Sequence, residues 1–192
     1  MPNVIIIEQA HYQRMPWKNG LGETLEIQRY EDKSGLRFRI SQASVVENGV
    51  FSDFSGLHRT LVLLSGEGMR LEHTSKNTNH TNLLSNPLDI ACFSGGDETL
   101  ATLKNGKIED LNIMVRKNDT QAKVQACTAP CSVSFSNNDT LFSGFYASED
   151  SVLEIVNTNT LPVKAHSMVI FAEAANATLA EGHGVMIEIT TL

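Results

Sequence analysis

Two arginines stand inside stretches that otherwise read as buried strand: Arg39 in FRISQ and Arg59 in HRTLVLL. A guanidinium in an apolar setting is unfavourable unless a carboxylate or another anion meets its donors. Each arginine therefore predicts either an internal acidic partner or a bound anion gripped through two parallel hydrogen bonds. Residues two apart on a strand share a face, which sorts the neighbours. Arg39 falls with Ser41, Thr24 with Glu26, and Asp110 with Asn112, Met114 and Arg116. Glu26 or Asp110 could pair Arg39 as a purely structural ion pair. The stretch MPWKNGLGETLEI, residues 15–27, adds Trp17, the only tryptophan, followed by Lys18 and Asn19. Lys18 would supply a third positive charge and Trp17 an aromatic wall. With Glu26, Ser41 and His58, these residues make up a candidate ligand-binding set for a small anion.

Other chemistries find less support. Gly20 and Gly22 form G-x-G, but no third glycine follows, and the next residues read as strand. The histidines at 11, 58, 73, 80, 166 and 183 form no H-x-H or H-E-x-x-H pair. No G-x-S-x-G elbow is present. Cys127 and Cys131 do not make C-x-x-C, and with Cys92 they give an odd count. The expectation is three reduced thiols in a cytoplasmic protein, with no metal and no cofactor. A net charge of -7 and a pI near 5.3 lack the basic face of a nucleic-acid binder. No apolar run approaches the roughly 20 residues of a membrane-spanning helix, and MPNVIIIEQAHYQ reads as a first strand, not a leader.

Elements that could hold these residues are short strands separated by turns, the pattern of an all-β sandwich or barrel. The first series runs 4–8, 24–30, 38–46, 59–65, 68–73, 89–93, 99–104 and 110–116. A second series runs from 122–126 to 185–190. Turn signals fall at Asn48-Gly49, Gly66–Gly68, Gly95–Asp97 and Asn105-Gly106. The polar NDTQ after Lys117 marks a boundary, giving a unit over 1–117 and a smaller one over 118–192. HTSKNTNHTNLLSNP reads as a mobile loop, and AEAANATLAEG has room for a short helical turn. In a small barrel one face of each strand lines the interior and can enclose one ligand. Exposed strand edges make a homodimer plausible.

The order of the segments resembles the HutD/Ves family. MPWKNGLGETLEI is followed by FRISQASVVENGVFSDFSGLHRTLVLLSGEGMRL and then by GGDETLATLKNGKIEDLNIMVRK, which together span most of residues 15–117. The resemblance implies a bicupin: two cupin-like β-barrels packed in one chain, the family motifs lying in the first. It also implies a link to histidine utilisation or to a stress response, with a small pathway acid such as formylglutamate bound in a regulatory role. Ordinary cupins carry G-x5-H-x-H-x3,4-E-x6-G, whose histidines bind metal. The corresponding region here, GVFSDFSGLHRTLVLLSGEG, has phenylalanine and serine instead of that histidine pair, and His58 stands where the family usually has an acid. The favoured reading is a non-enzymatic, metal-independent cupin that binds a small anionic metabolite. The alternative is a cupin isomerase or hydrolase with Glu26 or His58 as its acid or base. If Glu26 and Asp110 neutralised both arginines and left no cavity, an interaction module would be favoured.

Overall fold

The strand alternation carries through the structure, a computed structural model that describes residues 4–17, 22–76, 78–135, 139–156 and 160–192. Lys18 and Asn19 lie outside the described residues. Among those described, the only helical element is a short 3-10 turn at Gln9–His11. No helix among them is long and apolar enough to cross a membrane. The chain divides into two units, Gln13–Thr120 and Met1–Tyr12 with Gln121–Leu192.

In the unit Gln13–Thr120 an antiparallel six-stranded sheet runs Gln13–Pro16, Gly22–Asp32, Gly35–Val45, Ile108–Arg116, Leu57–Ser65 and Ile90–Ser94. A second sheet has the order Gly49–Val50, Glu98–Leu103, Met69–Thr74 and Asn79–Leu84. Inward side chains of both sheets meet in one core, with Leu61, Leu63 and Ala91 from the first and Met69, Leu71, Leu84 and Ala101 from the second. Trp17 and Phe51 pack against that core from its margin. Each buried leucine or methionine side chain among them contributes roughly 1.5–3 kcal/mol. The polar stretch HTSKNTNHTNLLSNP contains a strand, because Asn79–Leu84 pairs antiparallel with Met69–Thr74 and seats His80 opposite His73.

The other unit has a five-stranded sheet in the order Val4–Ile7, Met168–Phe171, Thr140–Ala147, His183–Thr191 and Thr120–Thr128. Its second sheet runs Cys131–Phe135, Ala175–Glu181, Ser151–Ile155 and Thr160–Val163. Ala175, Ala177 and Leu179 alternate into its core, so AEAANATLAEG is a period-two strand and not a helical turn. The first strand pairs Val4 with Phe171 and Ile7 with Met168. The Tyr12 hydroxyl donates to the His166 carbonyl oxygen at 2.8 Å. The opening residues thus belong with the later part of the chain and not with the rest of 1–117. No turn signal marks that change, since it is made by pairing distant in sequence.

Candidate functional site

Strand Ile108–Arg116 lies between Gly35–Val45 and Leu57–Ser65, and its register builds the site. Met114 sits between Arg39 and Arg59, Asn112 between Ser41 and Leu61, and Asp110 between Ala43 and Leu63. On the outer strands Glu26 opposes Ser41, Thr24 opposes Ala43, and Phe93 opposes Arg59. These rows place Arg39, Ser41, Asp110, Asn112 and Arg59 on one face of the sheet. They line a cavity of about 680 Å³, which Trp17, Thr24, Phe51 and Phe54 help to enclose.

Arg59 is the centre of charge. Only 4% of it is exposed. Its guanidinium carbon lies 5.1, 5.3 and 5.0 Å from the ring centroids of Phe51, Phe54 and Phe93. Ring faces attract a cation, more strongly once it is desolvated. The loop bearing Phe51 and Phe54 is tied down by hydrogen bonds from the Phe51 amide N–H to the Thr99 carbonyl and from the Phe54 amide N–H to the Gly95 carbonyl. Burial pulls the guanidinium down to about 10, with Asp110 opposing the shift and Arg39 reinforcing it. The Arg59 Nε–H has no hydrogen-bond partner among the described residues.

Two acceptors share that condition. Asp110 is 2% exposed and Asn112 7%. Neither the Asp110 Oδ1 nor the Asn112 Oδ1 has a partner among the described residues. Burial pushes the Asp110 carboxyl up to about 7, against the attraction of Arg59. Leaving a buried donor or acceptor unpaired costs about 1–3 kcal/mol, and the three side chains that carry these atoms all line the cavity, with the orphaned atoms themselves closed to solvent.

The other candidates divide. Arg39 is committed, because its Nε donates to Glu26 Oε2 at 2.6 Å, with Arg29 Nη1 3.8 Å from the same oxygen. Glu26, beside Ser41 on the same face but outside the lining, holds Arg39 to the wall. Trp17 also lines the cavity. Its indole N–H donates to Thr24 Oγ1 at 2.9 Å, and its amide closes the hairpin onto the Gly22 carbonyl at 3.0 Å. His58 is exposed on the opposite face of its strand and is not part of the lining. Lys18 and Asn19 have no described position. Of the sequence candidates, the structure therefore gathers Trp17, Arg39, Ser41 and Arg59, with Glu26 in support. The phenylalanines were missed, although VFSDFSG directly before a buried arginine is a readable signal.

The donors here do not fit a transition metal. The cavity offers the carboxylates of Asp110 and Glu47, Asn48, Asn112, Ser41 and two guanidinium groups, without a facing imidazole or thiolate. The buried histidine of this unit, His73, has both ring nitrogens engaged, Nδ1 with Thr99 Oγ1 at 2.9 Å and Nε2 with Asn82 Oδ1 at 3.0 Å.

Comparison with known proteins agrees with this frame. The HutD family profile matches residues 9–187. A Pseudomonas putida protein described as an uncharacterized 21.2 kDa protein in the hutC 3' region is 36% identical over 127 residues, 65% of each chain. The alignment thus spans less than two thirds of that relative. Protein Ves of Escherichia fergusonii is 34% identical over 154 residues, 77% of this chain and 78% of that one. Among solved structures, HutD from Pseudomonas fluorescens, obtained in a formate condition, superposes with a TM-score of 0.81 at 25% identity, covering 99% of this chain and 100% of that one. An oxalate decarboxylase from Lactobacillus farciminis follows the same fold at 6% identity, with a TM-score of 0.67 over 99% of this chain and 86% of that one. The fold is cupin-like and all-β, and with a profile match reaching across nearly its whole length the chain belongs to the HutD family.

Proposed function

We propose that the cavity binds a small anionic metabolite, a carboxylate such as formylglutamate, and that Arg59 is its principal anchor. One observation carries this reading: a buried arginine, 4% exposed, lines the cavity and has no carboxylate hydrogen-bonded or ion-paired to it among the described residues. Three aromatic rings hold the cation in place while leaving its hydrogen bonds to be made by a ligand. The formate condition of the Pseudomonas fluorescens HutD and the hutC neighbourhood of the Pseudomonas putida relative support a carboxylate in histidine utilisation. In this reading the protein is a cytoplasmic, metal-independent binder with a regulatory role, and it releases its ligand unchanged.

Thermal unfolding with and without formylglutamate tests it. A ligand at 100 times its Kd adds about 2.7 kcal/mol, which raises the Tm of a chain this size by roughly 5–11 °C. Arg59→Met keeps the packing against the phenylalanines and should abolish the shift. Arg59→Lys keeps the charge without the planar fork and should retain part of it. A folded Arg59→Met protein with wild-type affinity would overturn the assignment.

One observation favours an enzyme as the second reading. Asp110 lies in the cavity with its carboxyl pushed up to about 7, suited to proton transfer near neutrality. Glu26 and His58 fit that role less well, the first being bonded to Arg39 and the second lying off the cavity. Turnover of a small acid that disappears in Asp110→Asn while binding persists would establish the enzyme instead.

A further inference from the structure

Arg59 does not face the cavity alone. Asp110 lines the same cavity and is 2% exposed, against 4% for Arg59. Its position on the central strand, between Ala43 and Leu63, keeps it in the lining. Arg59 has no carboxylate hydrogen-bonded or ion-paired to it among the described residues, yet Arg59 and Asp110 act on each other electrostatically. Arg39, the other guanidinium of the lining, already has Glu26 as its counter-ion. The cavity therefore combines one buried cation, one resident carboxyl and about 680 Å³ of space. Two carboxylates in one desolvated space oppose each other's ionisation. A carboxylate ligand drawn to Arg59 is thus a rival of ionised Asp110 for the same positive charge. The rivalry ends when Asp110 takes a proton.

Resting on the carboxylate reading above, we infer that the site binds its anion together with a proton, which Asp110 takes up, so that it holds its ligand in neutral surroundings and releases it in alkaline ones. Burial already pushes the Asp110 carboxyl up to about 7 in the ligand-free protein. Below that point Asp110 is protonated before the ligand arrives, and binding takes up little. Above it the proton has been lost, and binding must restore it. A complex that keeps Asp110 protonated therefore loses up to about tenfold in affinity for each further pH unit. The charged groups that bear on Asp110 are Arg59 and Glu109, while Arg39 and Glu47 line the same cavity. The flanking residues Ala43 and Leu63 bring no charge. His73 interacts electrostatically with Arg59, and its ring lies 4.5 Å from that of Phe93. A protonated histidine would also favour an anion at low pH, so pH dependence alone does not identify Asp110.

Calorimetric titration of the whole protein with N-formylglutamate, whose carboxylates stay ionised at pH 6 and above, tests the coupling. Titrations at pH 6 and pH 8, each in buffers of different ionisation enthalpy, count the protons exchanged. Wild type should take up most of one proton at pH 8 and little at pH 6, with affinity about tenfold lower at pH 8. Asp110→Asn, which resembles the protonated side chain, should exchange no proton and bind equally well at both pH values. His73→Gln, which removes that imidazole, should keep both the uptake and the pH dependence. Uptake that persisted in Asp110→Asn, or vanished in His73→Gln, would overturn the inference. Binding by wild type without proton exchange would do the same. Any of these results, with binding lost in Arg59→Met, would leave the carboxylate reading standing. No binding at all, or binding indifferent to Arg59→Met, would remove that reading and the coupling with it.

Discussion

Asp110 gives the sharpest test of the site's electrostatics. Its carboxyl titrates near 7 in the folded protein, against an ordinary value of 3.8, because burial opposes its ionisation more than Arg59 favours it. The sign follows from linkage: between about pH 4 and pH 7 the native state holds a proton that the unfolded chain has lost, so raising the pH through that window destabilises the fold. The difference of about three pH units corresponds to about 4 kcal/mol at 1.36 kcal/mol per unit. Asp110→Asn is close in shape to the protonated side chain and cannot ionise. In the ligand-free protein it should match wild type near pH 4 and exceed it by up to about 4 kcal/mol at pH 8. For a chain of this length that is a Tm increase of order 10 °C. Thermal unfolding at intervals from pH 4 to pH 8 measures it directly. An Asp110→Asn protein less stable than wild type at pH 8 would refute the reasoning, since it would mean that attraction to Arg59 outweighs the cost of burying the carboxylate.

Two further substitutions probe the walls. Gly22→Ala would set a methyl group 2.9 Å from the Trp17 ring and press it against the Ser44 carbonyl oxygen, so it should lower stability by about 1–3 kcal/mol and weaken ligand binding as Trp17 is displaced. Chemical denaturation and intrinsic tryptophan fluorescence, which has Trp17 as its only source, would follow both effects. Glu26→Gln leaves Arg39 without its 2.6 Å carboxylate partner and should cost about 1–3 kcal/mol in denaturant unfolding. If the released Arg39 turned into the cavity, the same variant would bind carboxylates more tightly in a titration.

Much of the site was legible because strand periodicity is a strong signal. Arg39 with Ser41, and Asp110 with Asn112, fall on common faces by simple alternation, and the apolar residues around Arg59 marked it as buried. Register was not legible: nothing in FRISQ and NIMVR states that Met114 falls between Arg39 and Arg59. His58 was misplaced for the same periodic reason that Arg59 was found, since adjacent residues on a strand face opposite ways. The phenylalanines escaped because they approach Arg59 from loop 51–54, where no periodicity applies. In the fold, Asn79–Leu84 was hidden by polar composition, its stability coming from pairing with Met69–Thr74, while Ala175–Glu181 was obscured by alanines with high helix propensity. The family resemblance anticipated the cupin-like fold, but the buried acceptors emerged only from the geometry.

The pairing of the opening strand with Met168–Phe171 sets an order for biosynthesis. Tyr12 and its hydrogen-bonding partner His166 are 154 residues apart. At about 5–20 residues per second, translation separates them by roughly 8–30 s. Everything needed for the unit Gln13–Thr120 emerges within that interval, so the arginine site can assemble while Val4–Ile7 still waits for its neighbour. During the wait an apolar VIII segment has an unclaimed backbone edge, open to chaperones or to the same segment of another nascent chain. Ribosome-bound chains truncated before residue 168 would therefore have the whole of Gln13–Thr120 synthesised while their apolar first strand still lacks its neighbour.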